Sequence, residues 1–405
     1  MGKIKIKYFG PIREGYLEDD GFMDISKVTF FIGNQGSGKS TVAKLISTFS
    51  WIEKVIFRGD YEEEWFTREG ILRENYCTYH RIENYFRPDT YIEYQGDAYT
   101  IKYENNGVSI SKTDNNEYEL PQVMYIPAER NFLAYVEDPR KYKDISESLV
   151  EFLGEYIKAY RKSEKAVSLP INGVTIEYEK SNDLVYIKGR DYRIKLSEAS
   201  SGFQSVVPLY LASKYLSDSI KDFKKNVSMS SEEEERFAKL TADVLADSSL
   251  TDKQRRIVLS QLGKRFNKTA FINIVEEPEQ NLFPTSQWEM LQSLLSFSNE
   301  EKGNKLIVTT HSPYLINYLT LAVKAAILNK KIESDKLREE LGQIIALNSV
   351  VAPENLSVFE LNEENGTIRK LETYKGLPSD EHQLNEKLEE SNDLFAALLE
   401  IQQKL

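Results

Sequence analysis

One cysteine, Cys77, stands among 405 residues, so no internal disulfide framework exists and stability must come from a packed core. Histidine is nearly as scarce: His80, His311 and His382 lie far apart in the chain and do not suggest a metal cage. Both scarcities fit a reducing compartment. No apolar run approaches the roughly 20 residues that span a bilayer. The opening stretch MGKIKIKYFG alternates Lys with Ile as a strand does, instead of leading into the apolar block of a secretory signal. A cytoplasmic protein without a membrane partner is expected. Excess positive charge is missing too. A formal charge of -12 argues against a surface that is basic everywhere, although a local basic groove stays open, and with it the question of nucleic acid. There is no internal repeat, no low-complexity tract and no heptad run long enough for a coiled-coil arm.

What is present is a chain with 40% hydrophobic residues, enough for one elaborated core or two. Residues 3–9 and 28–32 have strand patterning, and Val42, Leu45, Ile46, Phe49 and Ile52 follow at helical spacing. Residues 90–112 read as an antiparallel meander turning at Gln95-Gly96-Asp97 and Asn105-Asn106-Gly107. A short apolar strand within 121–132 runs into a polar turn. A helix follows over 144–162 and a second antiparallel patch over 173–196. The spacing then predicts an apolar helix from Val206 to Leu216, with Pro208 tolerated in its early turns. Capping-box spacings at Ser231/Glu234 and Thr251/Gln254 predict helices starting near 232 and 252. Buried-type strands are expected in 270–279 and 305–317, the latter with Ser312 and Pro313 as cap and first residue of a helix. The tail reads as a hairpin over 355–374 and a helix from about 383. The class is α/β.

Chemistry concentrates where the first of these buried strands ends. Gly33, Gly38, Lys39 and Ser40 match G-x-x-x-x-G-K-[ST], with an apolar strand before and an amphipathic helix after. Glycines at 33, 36 and 38 let the backbone of Asn34, Gln35 and Ser37 curl so that N–H groups converge, and the helix N-terminus adds positive potential. A polyphosphate fits there. Lys39 is expected on the β- and γ-phosphates of ATP and Ser40 on magnesium, while Thr41 begins the helix. The strand INIVEEPE supplies acids: Glu276 for Mg2+ and Glu277 as general base for water. His311 closes the next strand, where a residue sensing the γ-phosphate belongs. Neither NKTA (267–270) nor NKKI (329–332) has the aspartate of a guanine-reading loop, so GTP is not expected.

In this order (phosphate loop, SSGFQS at 200–205, EEPE, TTH) the chain resembles the ABC-type ATPases. The resemblance implies an ABC-type P-loop ATPase head: a mixed central sheet, an antiparallel β subdomain, a helical insert and a small C-terminal α+β segment. It also implies that Ser201 and Gly202, with Gln204 beside them, bind the nucleotide held by a second copy, so that hydrolysis needs a homodimer or a higher homo-oligomer of dimers. The physical reading agrees, because these residues open an apolar helix. Phe203 departs from the usual second glycine. EPEQNLFP resembles the E-P-E-x-x-L-H-P pattern of the overcoming-lysogenization and SMC-related branch, with Phe283 in place of His. YIPAER occupies the place of the glutamine-bearing loop that reports magnesium. Gln122, Glu129 and Arg130 all remain candidates there, Glu129 being entered as a metal contact and Arg130 having a structural ion pair as its alternative.

The absence of arms, together with PAER, ASSGFQS and THSPYLIN, resembles the armless ABC ATPases of bacterial anti-phage operons, most of all the AriA-type ATPases of PARIS systems. That likeness implies an ATP-switched sensor controlling an effector, a TOPRIM-type nuclease, released by a phage-encoded trigger protein. A DNA-repair ATPase of the RecF or SMC kind is the alternative. The expected divisions are 1–225 and 269–345 for the ATPase, 226–268 for a helical insert and 346–405 for the C-terminal segment. The last helix, with Leu384, Leu388, Leu394, Phe395, Leu398 and Leu399, is expected to complete the core rather than hold a partner.

Overall fold

The computed structural model describes residues 2–113, 118–134, 145–163, 166–223, 231–247, 250–251, 254–255, 258–259, 262 and 268–403. The chain opens with β1 (Lys3–Phe9), β2 (Gly15–Tyr16), β3 (Met23–Asp24) and β4 (Val28–Gly33). Helices α1 (Lys39–Arg58) and α2 (Glu63–Phe66) lead to the meander β5 (Phe86–Gln95), β6 (Tyr99–Glu104) and β7 (Gly107–Lys112). Next come β8 (Pro121–Ile126), α3 (Glu147–Lys162) and four short strands: β9 (Val167–Ser168), β10 (Thr175–Glu179), β11 (Leu184–Lys188) and β12 (Arg193–Lys195). Helices α4 (Ser201–Phe223) and α5 (Ser231–Ala246) follow. The chain continues through β13 (Ala270–Glu276), α6 (Pro284–Asn299), β14 (Lys305–Thr310), α7 (Pro313–Asn329) and α8 (Asp335–Ile344). It closes with β15 (Leu356–Leu361), β16 (Thr367–Lys370), β17 (Thr373–Tyr374), β18 (Leu377–Pro378) and α9 (Gln383–Gln402).

A seven-stranded mixed sheet in the order β2-β16-β15-β4-β14-β13-β8 is the spine, and its five strands from β15 to β8 run parallel. Side chains alternate across it as the two-residue period requires. Phe31, Ile307, Ile274 and Tyr125 join the core on the α1 side, which the five-stranded antiparallel sheet β3-β1-β5-β6-β7 completes. Phe30, Ile32, Val308, Val275 and Met124 face the opposite core, shared with α3, α4, α6 and α7. Strands buried on both faces read as continuous apolar runs, which is why VTFFI and AFINIV were legible as strands. The registers Leu361↔Gly33, Thr310↔Ile32, Glu276↔Thr309 and Val275↔Ile126 bring the carboxyl ends of β15, β4, β14, β13 and β8 to one edge. Loops leaving that edge carry the functional side chains.

The expected C-terminal hairpin is present as β15 and β16, with β15 beside β4 in the main sheet. Two expectations need correction. The helix predicted over Val206–Leu216 runs from Ser201 to Phe223, so Pro208 sits two turns in. The last helix does not complete the core: Leu384 packs against it, but Leu394, Phe395 and Leu398 are exposed. An apolar stripe signals that something covers it, and its sequence cannot say whether that cover is its own chain. The Thr251/Gln254 capping box is present as reciprocal hydrogen bonds, from Thr251 N to Gln254 Oε1 at 3.0 Å and from Gln254 N to Thr251 Oγ1 at 3.4 Å. Most of the helix it would start, and the side chains of Ser231 and Glu234, lie outside the described residues.

Candidate functional site

Helix α1 begins at Lys39 with Gly38 as its N-cap in the left-handed region, and its first internal bond is Val42 N to Gly38 O at 3.0 Å. The N–H groups of Lys39, Ser40 and Thr41 therefore have no partner within the helix and sit at its positive end. Gly33 is required by space as well as by conformation. At φ 140° a Cβ would lie 2.3 Å from Leu361 O on the neighbouring strand. Asn34, Gln35 and Gly36 form the exposed tip. Asn34 Nδ2 donates to Glu363 Oε1 at 2.7 Å, which ties the loop to the turn between β15 and β16. Ser37 Oγ is buried and unpartnered within the loop.

Lys39 curls back into this loop. Its ammonium donates to Gly33 O at 2.9 Å and Asn34 O at 2.7 Å, and stands 3.3 Å from His311 Nδ1. Burial lowers its pKa to about 8, against the pull of Glu277, Glu279, Glu363 and Glu276. The other ring nitrogen, His311 Nε2, lies 3.2 Å from Glu277 Oε1. His311 thus stands between the Lys39 ammonium and the Glu277 carboxylate, and its Nε2–H donates to Glu277. That bond, followed by the charges of His311, Lys39 and Arg130, holds the Glu277 carboxyl below its ordinary range despite burial. Glu277 is thus an ionised acceptor whose orientation is set by its neighbour.

The backbone around the acids is strained and pinned. Glu277 adopts φ 44°, a conformation costing about 1–3 kcal/mol for a residue with a Cβ. Its N–H donates to Thr309 O at 2.9 Å. Arg130, fully buried, uses its guanidinium on four carbonyls: Ser205 O (3.2 Å), Pro127 O (3.2 Å), Glu276 O (2.6 Å) and Glu277 O (2.6 Å). It therefore corrects both earlier expectations, being neither a free reporter of the metal nor half of an ion pair. Glu279 accepts from Thr310 Oγ1 and His311 N, both at 2.7 Å, and fixes the turn that presents His311.

Glu276 points to the α1 side of the sheet. Its Oε2 accepts from Ala128 N at 3.2 Å, whereas Oε1 is buried without a partner. An orphaned carboxylate oxygen is expensive unless something occupies it. A hard, oxygen-preferring cation such as Mg2+ fits that donor, with Ser40 across the phosphate loop. Among the described residues no cluster of three or more His, Cys, Asp or Glu would hold an ion unaided. Glu129 is exposed and lines, with Glu276, Lys44, His80 and Tyr125, a cavity of about 490 Å³. Gln122 pairs with Phe271 at the far end of β8 and is remote from the row of carboxyl ends.

Within SSGFQS, Ser201 is exposed at the start of α4, and Gly202 packs against the turn after Glu279. A Cβ there would come 2.7 Å from Asn281 O. Gln204 is not turned outward. It is buried, and its amide donates to Ser197 O (3.1 Å) and Ala199 O (3.0 Å), bracing the loop before the helix. Residues 33–40, Glu276, Glu277 and His311 are brought together within one chain; Ser201 and Gly202 stand on the far side of the Glu279 turn. The site list from sequence missed Arg130 as a clamp and Glu279 as the holder of His311. The last glutamate of EEPE was the only available signal for Glu279, and none existed for Arg130's carbonyl partners.

Residues 253–316 match the family model of an AAA ATPase domain, a span that contains β13, Glu276, Glu277, β14 and His311. No curated protein matches the chain. Among solved structures, the SMC head domain from Thermotoga maritima is 12% identical with a TM-score of 0.37, over 92% of this chain and 98% of that one. The Smc head with an extended coiled coil, bound to the C-terminal domain of ScpA from Pyrococcus furiosus, is 10% identical with a TM-score of 0.37, over 98% and 100%. A dimeric ATP-binding cassette in a post-hydrolysis state with ADP and Pi is 12% identical with a TM-score of 0.31, over 92% and 100%. TM-scores this low carry no weight for this chain, and the site stands on its own geometry.

Proposed function

We propose that this chain is an ATPase of the ABC type, holding MgATP on its phosphate loop and completing the site with Ser201 and Gly202 of a second copy. The observation that supports it most is the continuous contact Lys39–His311–Glu277, which joins the ends of three neighbouring strands. A triphosphate on the N–H groups of residues 39–41 draws the Lys39 ammonium off the loop carbonyls and onto phosphate oxygen. His311, released at Nδ1, keeps Nε2 on Glu277 and aims its carboxylate. Glu277, ionised, accepts the proton of the attacking water. Ser40 and Glu276 would hold magnesium, which would supply positive charge to offset that of the phosphate oxygens. Glu129, beside Glu276 on the same cavity, is the residue of the 127–130 loop proposed to report that metal.

The test is a pair of variants and a mixture. Lys39→Ala abolishes nucleotide binding, whereas Glu277→Gln retains ATP and slows turnover about a hundredfold or more. Mixing Lys39→Ala with Ser201→Ala protein regenerates one intact composite site per heterodimer; absence of any recovered activity overturns the shared site. The finer biological reading is an anti-phage sensor that controls an effector, a TOPRIM-type nuclease, in answer to a phage protein. Its support is the PAER, SSGFQS and THSPYLIN strings alone. Co-purification with the product of the adjacent reading frame, lost in Lys39→Ala, tests it. A steep salt dependence of duplex DNA retention on nitrocellulose would instead favour a repair ATPase.

A further inference from the structure

A second cavity lies beside the one that holds Glu276. It encloses about 270 Å³ between α1, β8, α3 and the stretch 75–80, close to the lower end of the roughly 300–1,000 Å³ typical of small-molecule sites. Its walls are rings: Trp51, Tyr76, Tyr79, His80 and Tyr125. His80 meets Tyr79 at 88° and Tyr125 at 65°, with centroids 4.6 and 4.4 Å apart, so these rings stand at angles around a space instead of stacking shut. Trp51 and Tyr76 approach to 5.3 Å. Two carboxylates, Glu147 and Glu151, are exposed one turn apart on α3 at the mouth, and Tyr79 donates its hydroxyl to Glu151. Among the described lining residues there is no lysine or arginine.

Those walls select for charge. Aromatic faces carry negative potential, and with two carboxylates and no base they favour a cation and repel an anion. His80 adds a finer requirement. Both of its ring nitrogens are buried without a partner, and burial, then the charge of Lys44, lowers its pKa to about 3, so the ring is neutral and keeps one nitrogen as a free acceptor. An ammonium N–H satisfies that nitrogen, whereas a quaternary ammonium has none to give. Lys44 itself lines the Glu276 cavity, which shares His80 and Tyr125 with this one. Ser47, also in the lining, follows Ser40 by two turns of α1, so the pocket begins about 10 Å along the helix from the phosphate loop.

We propose that this pocket binds an alkylammonium group, its N–H donating to His80 and its charge shared by the ring faces and the carboxylates of Glu147 and Glu151. A free amine carries that group, and so does a lysine side chain of another protein; in both, the alkyl stem packs on the rings while the charged head is held. The pocket is separate from the phosphate loop, so its occupation needs neither nucleotide nor magnesium.

Ligand-observed NMR titrations of the full-length protein test it, in EDTA without nucleotide, on wild-type and Lys39→Ala chains so that the outcome is independent of the ATP site. n-Butylammonium should bind saturably to both. Its neutral counterpart 1-butanol should bind about tenfold or more weaker, tetramethylammonium should also be weaker, and butyrate should not bind. The double variant Glu147→Gln/Glu151→Gln, changed at exposed positions, should lose about fivefold or more in affinity with its melting unaltered, and Trp51→Leu should abolish binding. Nα-acetyl-lysine methylamide binding tighter than n-butylammonium would identify a lysine side chain as the source, and weaker binding a free amine; both agree with the proposal. Equal affinity for n-butylammonium and 1-butanol would assign an uncharged ligand, and saturation unchanged in the glutamine pair and in Trp51→Leu would place the cation elsewhere. Either of these results, or no saturable binding of any ammonium, overturns the proposal.

Discussion

Replacing Arg130 by Lys keeps the charge and removes the fork. The guanidinium reaches four carbonyls from three nitrogens, two of them at 2.6 Å, and no solvent touches it. An ammonium has three N–H groups on one atom at the end of an unbranched stem, so it serves one or two of those carbonyls. At least two buried carbonyls then lose their partner, at about 1–3 kcal/mol each, and we take about 3 kcal/mol as the expected loss. For a chain of this size that lowers the melting temperature by about 3–4 °C. The same carbonyls belong to Glu276 and Glu277, so turnover should fall about tenfold or more through lost orientation of the base. Nucleotide binding should persist, because the phosphate loop hangs from β4 and touches Arg130 nowhere among the described contacts. Differential scanning fluorimetry, a fluorescent-nucleotide titration and a phosphate-release assay on one preparation decide it. Wild-type melting together with wild-type turnover in Arg130→Lys refutes the clamp.

Three further outcomes follow from named contacts. Lys39 has a pKa of about 8 in the empty site, and a bound triphosphate stabilises its charged form. Binding at pH 8 therefore takes up about half a proton, and affinity falls as pH rises above 8 by up to about tenfold per unit. Calorimetry in two buffers of different ionisation enthalpy measures the uptake, and a value of zero refutes the assignment. Gly33→Ala drives a Cβ to 2.3 Å from Leu361 O. It should cost about 3 kcal/mol or more and abolish nucleotide binding, checked by melting and titration. Glu360, buried between the Arg369 guanidinium and Gln383 N, anchors α9. Glu360→Ala should free the helix, seen as loss of hydrogen-exchange protection at residues 383–388 with β15 still protected.

Much of the site was readable because its parts are local. The phosphate loop is a contiguous string whose glycines are set by backbone geometry, and EEPE and TTH each end a strand that is apolar on both faces. Arg130 was undecidable for the opposite reason: its partners come from residues 127, 205, 276 and 277, and carbonyl oxygens leave no trace in residue type. Gln204 was set beside the nucleotide only through the resemblance of SSGFQS, and only the fold shows its amide turned onto the loop at Ser197 and Ala199. The length of α4 escaped because Pro208 resembles a helix start, whereas the core around Val206, Val207 and Leu209 carries the helix through it.

From its sequence alone the chain is committed to strands, helices and a glycine-rich turn ahead of a helix, since periodicity, glycine conformations and strand-end acids act over a few residues. Which strand ends become neighbours was decided only by the order β15-β4-β14-β13-β8. That order sets Lys39, His311 and Glu277 in contact across more than 230 residues of chain. It arises from burying both faces of one sheet, a cooperative outcome that no single segment encodes.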